Sequence, residues 1–386
     1  MPALTSAERA MTHWLASQGD AMLDLIATLV NIDSGSFDKA GVDAVGESIG
    51  GFLKARGIAY DVIPNDRLGD AIRASVGEGA GANTGVLLMG HRDTVYPRGE
   101  AARRPFRVVD GRAYGPGCCD MKAGLVINAF VLAAFKQLGA PRRVTALFTA
   151  DEEIGSLSSR ALIEVEAKQA RAVFNAEPGR PNGGIVTGRK GGVFMKLAVT
   201  GKAAHAGNNL ADGISAIEEI ARKIIALHAL TDLERGISCN VGVVAGGQTV
   251  NTVAPSANAG LDLRFVRVED RATAMAAIER IVAQQHVRGA TAKLEITGEF
   301  KPLVASADSK HLFEHYAACA CDLGLAVTGE FAGGCADSGF AASVGAATIC
   351  GVGPIGGRAH SPDEYLDVAS IVPRAQTLAL AIMRLN

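Results

Sequence analysis

The sequence predicts an α/β domain interrupted by a smaller ferredoxin-like module, and three observations lead there. Short apolar runs, VLLM at 86–89, VTALFT at 144–149, AVFN at 172–175 and AATIC at 346–350, are separated by helix-length segments, as a largely parallel buried sheet requires. Between about 189 and 300 the texture changes to alternating strands and amphipathic helices in the order βαββαβ, which can fold as an independent module. The chain has 386 residues, 48% hydrophobic and 20% charged, which excludes disordered, collagen-like and coiled-coil classes and allows two or three domains.

The elements follow in order. Residues 7–31 carry helical spacing through Met11, Trp14, Leu15, Met22, Leu25, Ile26 and Leu29, and residues 44–56 predict a second helix ending at Gly57. The apolar stretch 123–135 contains Asn128, is flanked by Lys122 and Lys136, and is shorter than the roughly 20 residues a bilayer needs, so it reads as a buried helix. In the module, 193–200, 238–245, 257–266 and 292–297 predict strands, and 211–230 and 269–286 predict helices. The α/β pattern resumes near Leu312. The expected domains are 1–188, an insert at 189–301, and 302–386 closing the first domain.

Lys+Arg 38 against Asp+Glu 40 leaves a net charge of −2, too balanced for a chain that neutralises a phosphate backbone. Nucleic acid is not an expected partner, and neither is a membrane. Seven cysteines without paired spacings suit a reducing compartment, and the polar, acid-bearing first 20 residues do not read as a signal peptide. A cytoplasmic location is expected.

Polar clusters follow the apolar runs. His91 and Asp93 come after the first, Glu152 and Glu153 after the second, Glu177 after the third and His360 after the last, with Asp120 in GPGCCDMKAG. Open α/β sheets gather such residues outside the carboxyl ends of their strands. Imidazole and carboxylate are ligands for a borderline metal such as Zn²⁺, and no thiolate set has structural-zinc spacing. Two His and several carboxylates exceed what one tetrahedral ion needs and suit two ions sharing a bridging carboxylate. An uncoordinated carboxylate would then move the proton. Spacing alone leaves open whether Glu152 or Glu153 does so, while Asp93 suits the task of fixing the His91 tautomer.

The ordered motifs HRDTV, GPGCCDMKAG, DEEIGS, AEP and HSPDEY, with GKAAHAG and VNTVAPSANAGLDLR in the insert, resemble the di-zinc metallopeptidase family of glutamate carboxypeptidase (carboxypeptidase G), aminoacylase-1 and succinyl-diaminopimelate desuccinylase. HRDTVYP and GGCADSGFAA are most similar to the glutamate carboxypeptidase branch. The resemblance implies a zinc-peptidase-type α/β/α catalytic domain whose ferredoxin-like insert is a lid and dimerisation domain, hence a homodimer. It also implies two Zn²⁺ ions, with Co²⁺ or Mn²⁺ as substitutes. One ion falls to His91 and Glu177, the second to Glu153 and His360, with Asp120 bridging through a cis peptide to Met121. Glu152 becomes the general base, Asp93 the partner of His91, and His205 a donor to the scissile carbonyl. Asn251, Arg264 and Gly334 become substrate contacts, Arg264 facing a free carboxylate as a bidentate fork.

The implied activity is hydrolysis of the amide bond to a C-terminal amino acid in an N-acyl amino acid or short peptide. An aminoacylase or dipeptidase of the same family is the alternative, and a non-catalytic metal-binding homologue the remote one. Two departures bear on specificity. Lys301, in FKP, stands where glutamate-specific relatives are expected to carry Arg, and 336–339 (ADSG) departs from the usual Asp-Ala. Cys118 and Cys119 also raise the possibility of a catalytic thiol, although no base accompanies them.

Overall fold

The computed structural model describes residues 4–79 and 84–385. It divides into two compact units. One runs to Gly188 and continues through Leu303–Ala332 and from Ala336 onward; the other is Arg189–Pro302 with Gly333–Cys335.

The first unit is built on an eight-stranded sheet. Its four middle strands, Val144–Thr149, Gly85–His91, Ala170–Asn175 and Ala347–Cys350, are parallel and are the four apolar runs. Val144–Thr149 is buried at every position, so alternation is absent and continuous hydrophobicity is the signal. The outer strands correct the expectation of a largely parallel sheet. Tyr60–Ile63 pairs antiparallel with Ala71–Val76, which pairs antiparallel with Val144–Thr149, and Ile185–Arg189 meets the other side antiparallel. The sheet is therefore mixed, because its outer strands do not enter through crossover helices. The helix Ala123–Leu138 is buried throughout Ala123–Phe135, which makes it a core helix by environment.

Two further features depart from the expectation. The segment 7–31 is two helices, Ser6–Ala16 and Gly19–Val30; Thr5 and Glu8 form a capping box at the start of the first, and it ends at Ser17. A small antiparallel sheet joins Gly356–Gly357, Tyr365–Asp367, Arg112–Tyr114 and Arg107–Val109. Strands of two or three residues carry too little periodicity to be read from sequence. This sheet matters because its first connection carries His360.

The second unit is a four-stranded antiparallel sheet in the order Ser238–Gly246, Ser256–Phe265, Gly191–Thr200, Thr291–Phe300, with helices Ala216–His228 and Val268–Ala283. Val193, Leu197, Leu227, Leu263 and Ile278 form its own core. This is the ferredoxin-like order that the alternation predicts.

Candidate active site

His91 is the last residue of a parallel strand, so it emerges at the carboxyl edge of the sheet. Its Nδ1 lies 3.0 Å from the backbone carbonyl of Asp93 and 3.4 Å from the Asp93 carboxylate, which directs Nε2 outward. Asp93 is fully buried and does more than face His91. Its two oxygens accept the backbone N–H groups of Glu152 and Glu153, each at 3.1 Å, and Oδ2 also accepts the Ser36 hydroxyl at 2.6 Å. Asp93 therefore ties the turn after Val144–Thr149 to the end of the neighbouring strand.

That turn, Glu152–Ile154, carries both candidate glutamates. Asp151 accepts the Ser158 amide and hydroxyl, and Asp337 accepts the Thr149 hydroxyl at 3.3 Å and the Ser156 hydroxyl. Ser156 has φ of 52°, a left-handed conformation that a non-glycine residue keeps only under local restraint. Asp337, in the segment marked above only for its departure from relatives, supplies that restraint.

Asp120 lies in the turn Cys118–Lys122, before the buried helix, and the Asp120–Met121 peptide is cis. Glu364 holds this turn. It is fully buried, and its carboxylate accepts the backbone N–H groups of Gly117, Cys119 and Asp120 at 2.9–3.1 Å and the Tyr96 hydroxyl at 2.8 Å. Sequence reasoning missed Glu364. It lies in HSPDEY, where an acid beside a candidate ligand histidine carries no local sign of the amides it meets in the fold.

The predicted ligands converge in two groups around Asp120. On one side, His91 Nε2 is 3.2 Å from Asp120 Oδ1 and 3.6 Å from Glu177 Oε1. On the other, His360 Nε2 is 3.5 Å from Asp120 Oδ2 and 3.1 Å from Glu153 Oε2. Ligand atoms of His91, Asp120 and Glu153 all lie within 4.8 Å of one another. His360 sits at φ 62° in the small-sheet connection. Glu152 is buried, with Oε2 3.9 Å from His91 Nε2.

The electrostatics of the cluster follow from its burial and from the charged groups packed within it. Burial opposes charge on His91, but hydrogen bonds to Asp120 and Asp93 outweigh it and hold the imidazole well above its usual pKa. His360, bonded to Asp120 and Glu153, is raised to about 10. Burial and its carboxylate neighbours Glu177, Glu153 and Asp337 push Glu152 well up against the opposing pull of His91. Burial, with the Asp120 charge, raises Glu153 to about 7 although His360 pulls the other way. Burial acts to raise Asp120, but its bonds to His360 and His91 hold it below the usual range.

Do these residues fit metal ions? Glu153 Oε1 is buried without a hydrogen-bond partner, and each oxygen of Asp120 faces a different imidazole–carboxylate pair. Oxygen and nitrogen donors facing inward on two sides of one carboxylate fit two cations. The thiol alternative fails: Cys118 and Cys119 are buried, and desolvation, with the Glu364 charge, pushes both thiols well up, away from the reactive thiolate.

The remaining predicted residues belong to the second unit. His205 is exposed, with Nδ1 accepting the backbone N–H groups of Gly207 at 3.1 Å and Asn208 at 3.2 Å, which leaves Nε2 as the donor nitrogen. His205 bridges to Thr252, which places Asn251 beside it. The Arg264 side chain is fixed by Asp262 at 2.6 Å, by the Cys335 sulfur at 2.7 Å and by the Phe194 ring at 4.9 Å. Gly334 is exposed, and its carbonyl accepts Arg189 at 3.2 Å. Lys301 pairs with Glu299 at 3.2 Å, a carboxylate that it shares with Arg271, whose bonds to both oxygens are 2.7–2.8 Å.

Residues 87–384 match Peptidase family M20/M25/M40. Carboxypeptidase G2 of Pseudomonas sp. (strain RS-16) is 32% identical over 376 residues, covering 95% of this chain and 89% of that protein. An acetylornithine deacetylase of Pasteurella multocida (strain Pm70) is 30% identical over 257 residues, covering 61% of this chain and 64% of that one. Among solved structures, the M20 family metallo-carboxypeptidase Sso-CP2 of Sulfolobus solfataricus superposes with a TM-score of 0.78 at 18% identity, covering 94% of this chain and 98% of that one. Human carnosine dipeptidase 1 has the same fold, with a TM-score of 0.74 at 14% identity and 99% of both chains covered. The match across most of the length, and the order in which its motifs reach one sheet edge, make this chain a member of Peptidase family M20/M25/M40.

Proposed function

We propose that this chain is a two-metal hydrolase of the amide bond linking an acyl group to a C-terminal amino acid, with glutamate carboxypeptidase-like exopeptidase activity. The observation that supports this reading is Asp120, with one oxygen toward His91 and Glu177 and the other toward His360 and Glu153, beside the buried Glu152. His91 and Glu177 would hold one ion, Glu153 and His360 the other, and Asp120 both. Such ions, expected to be Zn²⁺ with Co²⁺ or Mn²⁺ as substitutes, supply Lewis acidity that polarises a carbonyl and acidifies a water.

The protein's own groups do the rest. Glu152 takes a proton from the attacking water at its carboxylate and returns it to the leaving amide nitrogen. Asp93 keeps the His91 ring oriented and the Glu152 turn in place. His205 offers its Nε2 proton to the oxygen that gains charge, Arg264 with Asn251 receives the substrate's free carboxylate, and the Gly334 backbone lines that subsite. The name of the Pseudomonas relative, a carboxypeptidase, supports an exopeptidase; that of the Pasteurella relative, a deacetylase, keeps aminoacylase-type chemistry as the second reading.

A homodimer through the insert is part of the same proposal. Its support is a set of exposed apolar side chains, Val243 68% and Val244 59% on the outer strand Ser238–Gly246 and Ile225 73% on the helix Ala216–His228. A cytoplasmic setting is also proposed, supported by seven free thiols.

The test is hydrolysis of a panel of N-acyl amino acids by zinc-loaded protein, before and after chelation, with Glu152→Gln as control. Turnover that is lost on chelation, restored by zinc and lowered by several powers of ten in Glu152→Gln is expected. No turnover of any panel member by the loaded protein, or normal turnover in the variant, contradicts the proposal.

A further inference from the structure

Beside Glu153 lies a cavity of about 480 Å³ whose apolar wall is Phe37, Val95, Pro97 and Ile154. Phe37 is 78% exposed and Val95 43% exposed. A single exposed apolar side chain means little by itself. The way this one is mounted means more.

Phe37 is at the tip of a tight turn closed by the Asp38 N–H bonding to the Gly35 carbonyl at 2.7 Å. The residues on both sides of the phenylalanine are anchored. Ser36 donates to Asp93, which is itself bonded to the Glu152 and Glu153 amides, and Asp38 takes two hydrogen bonds from Arg98 at 2.9 and 2.6 Å. Gly35 bridges to Thr94, and a Cβ at Gly35 would lie 2.6 Å from the Tyr96 carbonyl oxygen, so the turn approaches the post-strand loop as closely as only glycine allows. Phe37 is thus held rigidly over a concavity that reaches a metal-site carboxylate, on the same hydrogen-bonded frame that orients the proposed general base.

The chemistry of the wall selects its occupant. Arg98, the cation at the rim, is already paired with Asp38, so an anionic group finds no unmatched cation there. An apolar group gains the covering of Phe37, Val95, Pro97 and Ile154. The volume far exceeds what an acetyl group would fill.

We propose that this cavity is the acyl subsite, that it takes a bulky apolar acyl group, branched or aromatic, and that Phe37 is the residue that sets this preference. The inference rests on the hydrolase reading above.

The experiment uses zinc-loaded full-length protein and N-acetyl, N-isovaleryl and N-benzoyl derivatives of the amino acid that the panel finds best accepted. Wild-type kcat/KM is expected to favour the two larger acyl groups over acetyl by about tenfold or more, and Phe37→Ala to reduce that ratio about tenfold, with Phe37→Leu retaining most of it. Because Phe37 is exposed, its removal opens no core cavity, and the thermal midpoint is expected to stay unchanged. Equal hydrolysis of acetyl and larger substrates by wild type, or a preference that survives Phe37→Ala, overturns the subsite while leaving the hydrolase reading intact. Failure of the loaded wild type to hydrolyse any acyl amino acid removes both.

Discussion

At the residue scale, Arg264 is the proposed carboxylate contact, and its side chain is held by three partners. It is part-buried, and its guanidinium is oriented by Asp262, Cys335 and Phe194. Burial opposes its charge, but the bond to Asp262 outweighs this and keeps it cationic. Nε and Nη1 are engaged by Asp262 and Cys335, so the proposed carboxylate would meet chiefly Nη2 rather than the whole fork, on an arginine that is already ordered and loses little further freedom. Arg264→Ala is therefore expected to raise KM for substrates with a free carboxylate by about tenfold or more, while their C-terminal amides change little. Equal effects on acid and amide would remove Arg264 from recognition.

Elements differ in how much of themselves they reveal. The four central strands were legible because each is an unbroken apolar run, and the insert because period-2 and period-3.6 patterns alternate over a hundred residues. His91, Asp120, Glu152, Glu153, Glu177 and His360 were legible as a set because each follows, or opens beside, such an element. What escaped is what depends on long-range partners. Glu364 looks like one more acid in a polar loop, and only the fold brings it onto the amides of residues 117, 119 and 120. Asp337 heads the helix Ser338–Ser343 yet bonds to Thr149 and Ser156, not to the amides of its own helix. The small sheet that carries His360 is assembled from segments more than two hundred residues apart, with no local pattern to announce it. Phe37 is an isolated aromatic between polar residues, with no periodic partner to mark it. Glu364, Asp337 and the small sheet hold the candidate site in place.

At the scale of the whole molecule, the proposed metal site would link metal content to stability. Without metal, His360 is raised from 6.5 to about 10, Glu153 from 4.5 to about 7, and His91 also stands well above its usual value. All three bind protons more tightly folded than unfolded, so their contribution is complete at low pH. It is lost as pH rises, between about 4.5 and 7 for Glu153 and between about 6.5 and 10 for His360. Cations need the same ligands deprotonated, so bound metal replaces the protons and binds more strongly as pH rises. The thermal midpoint of chelated protein is therefore expected to fall relative to that of the zinc-loaded form as pH increases across this window. A gap between the two forms that stays constant or narrows would contradict the electrostatic account.

The central claim is that Asp120 joins two imidazole–carboxylate pairs into one dinuclear centre. Elemental analysis of active, extensively dialysed protein tests it most directly, beside His360→Ala treated in the same way. The account predicts two transition-metal ions per chain in the wild type and about one in the variant. Active wild-type protein that retains no metal, or a variant whose metal content equals that of the wild type, would contradict it.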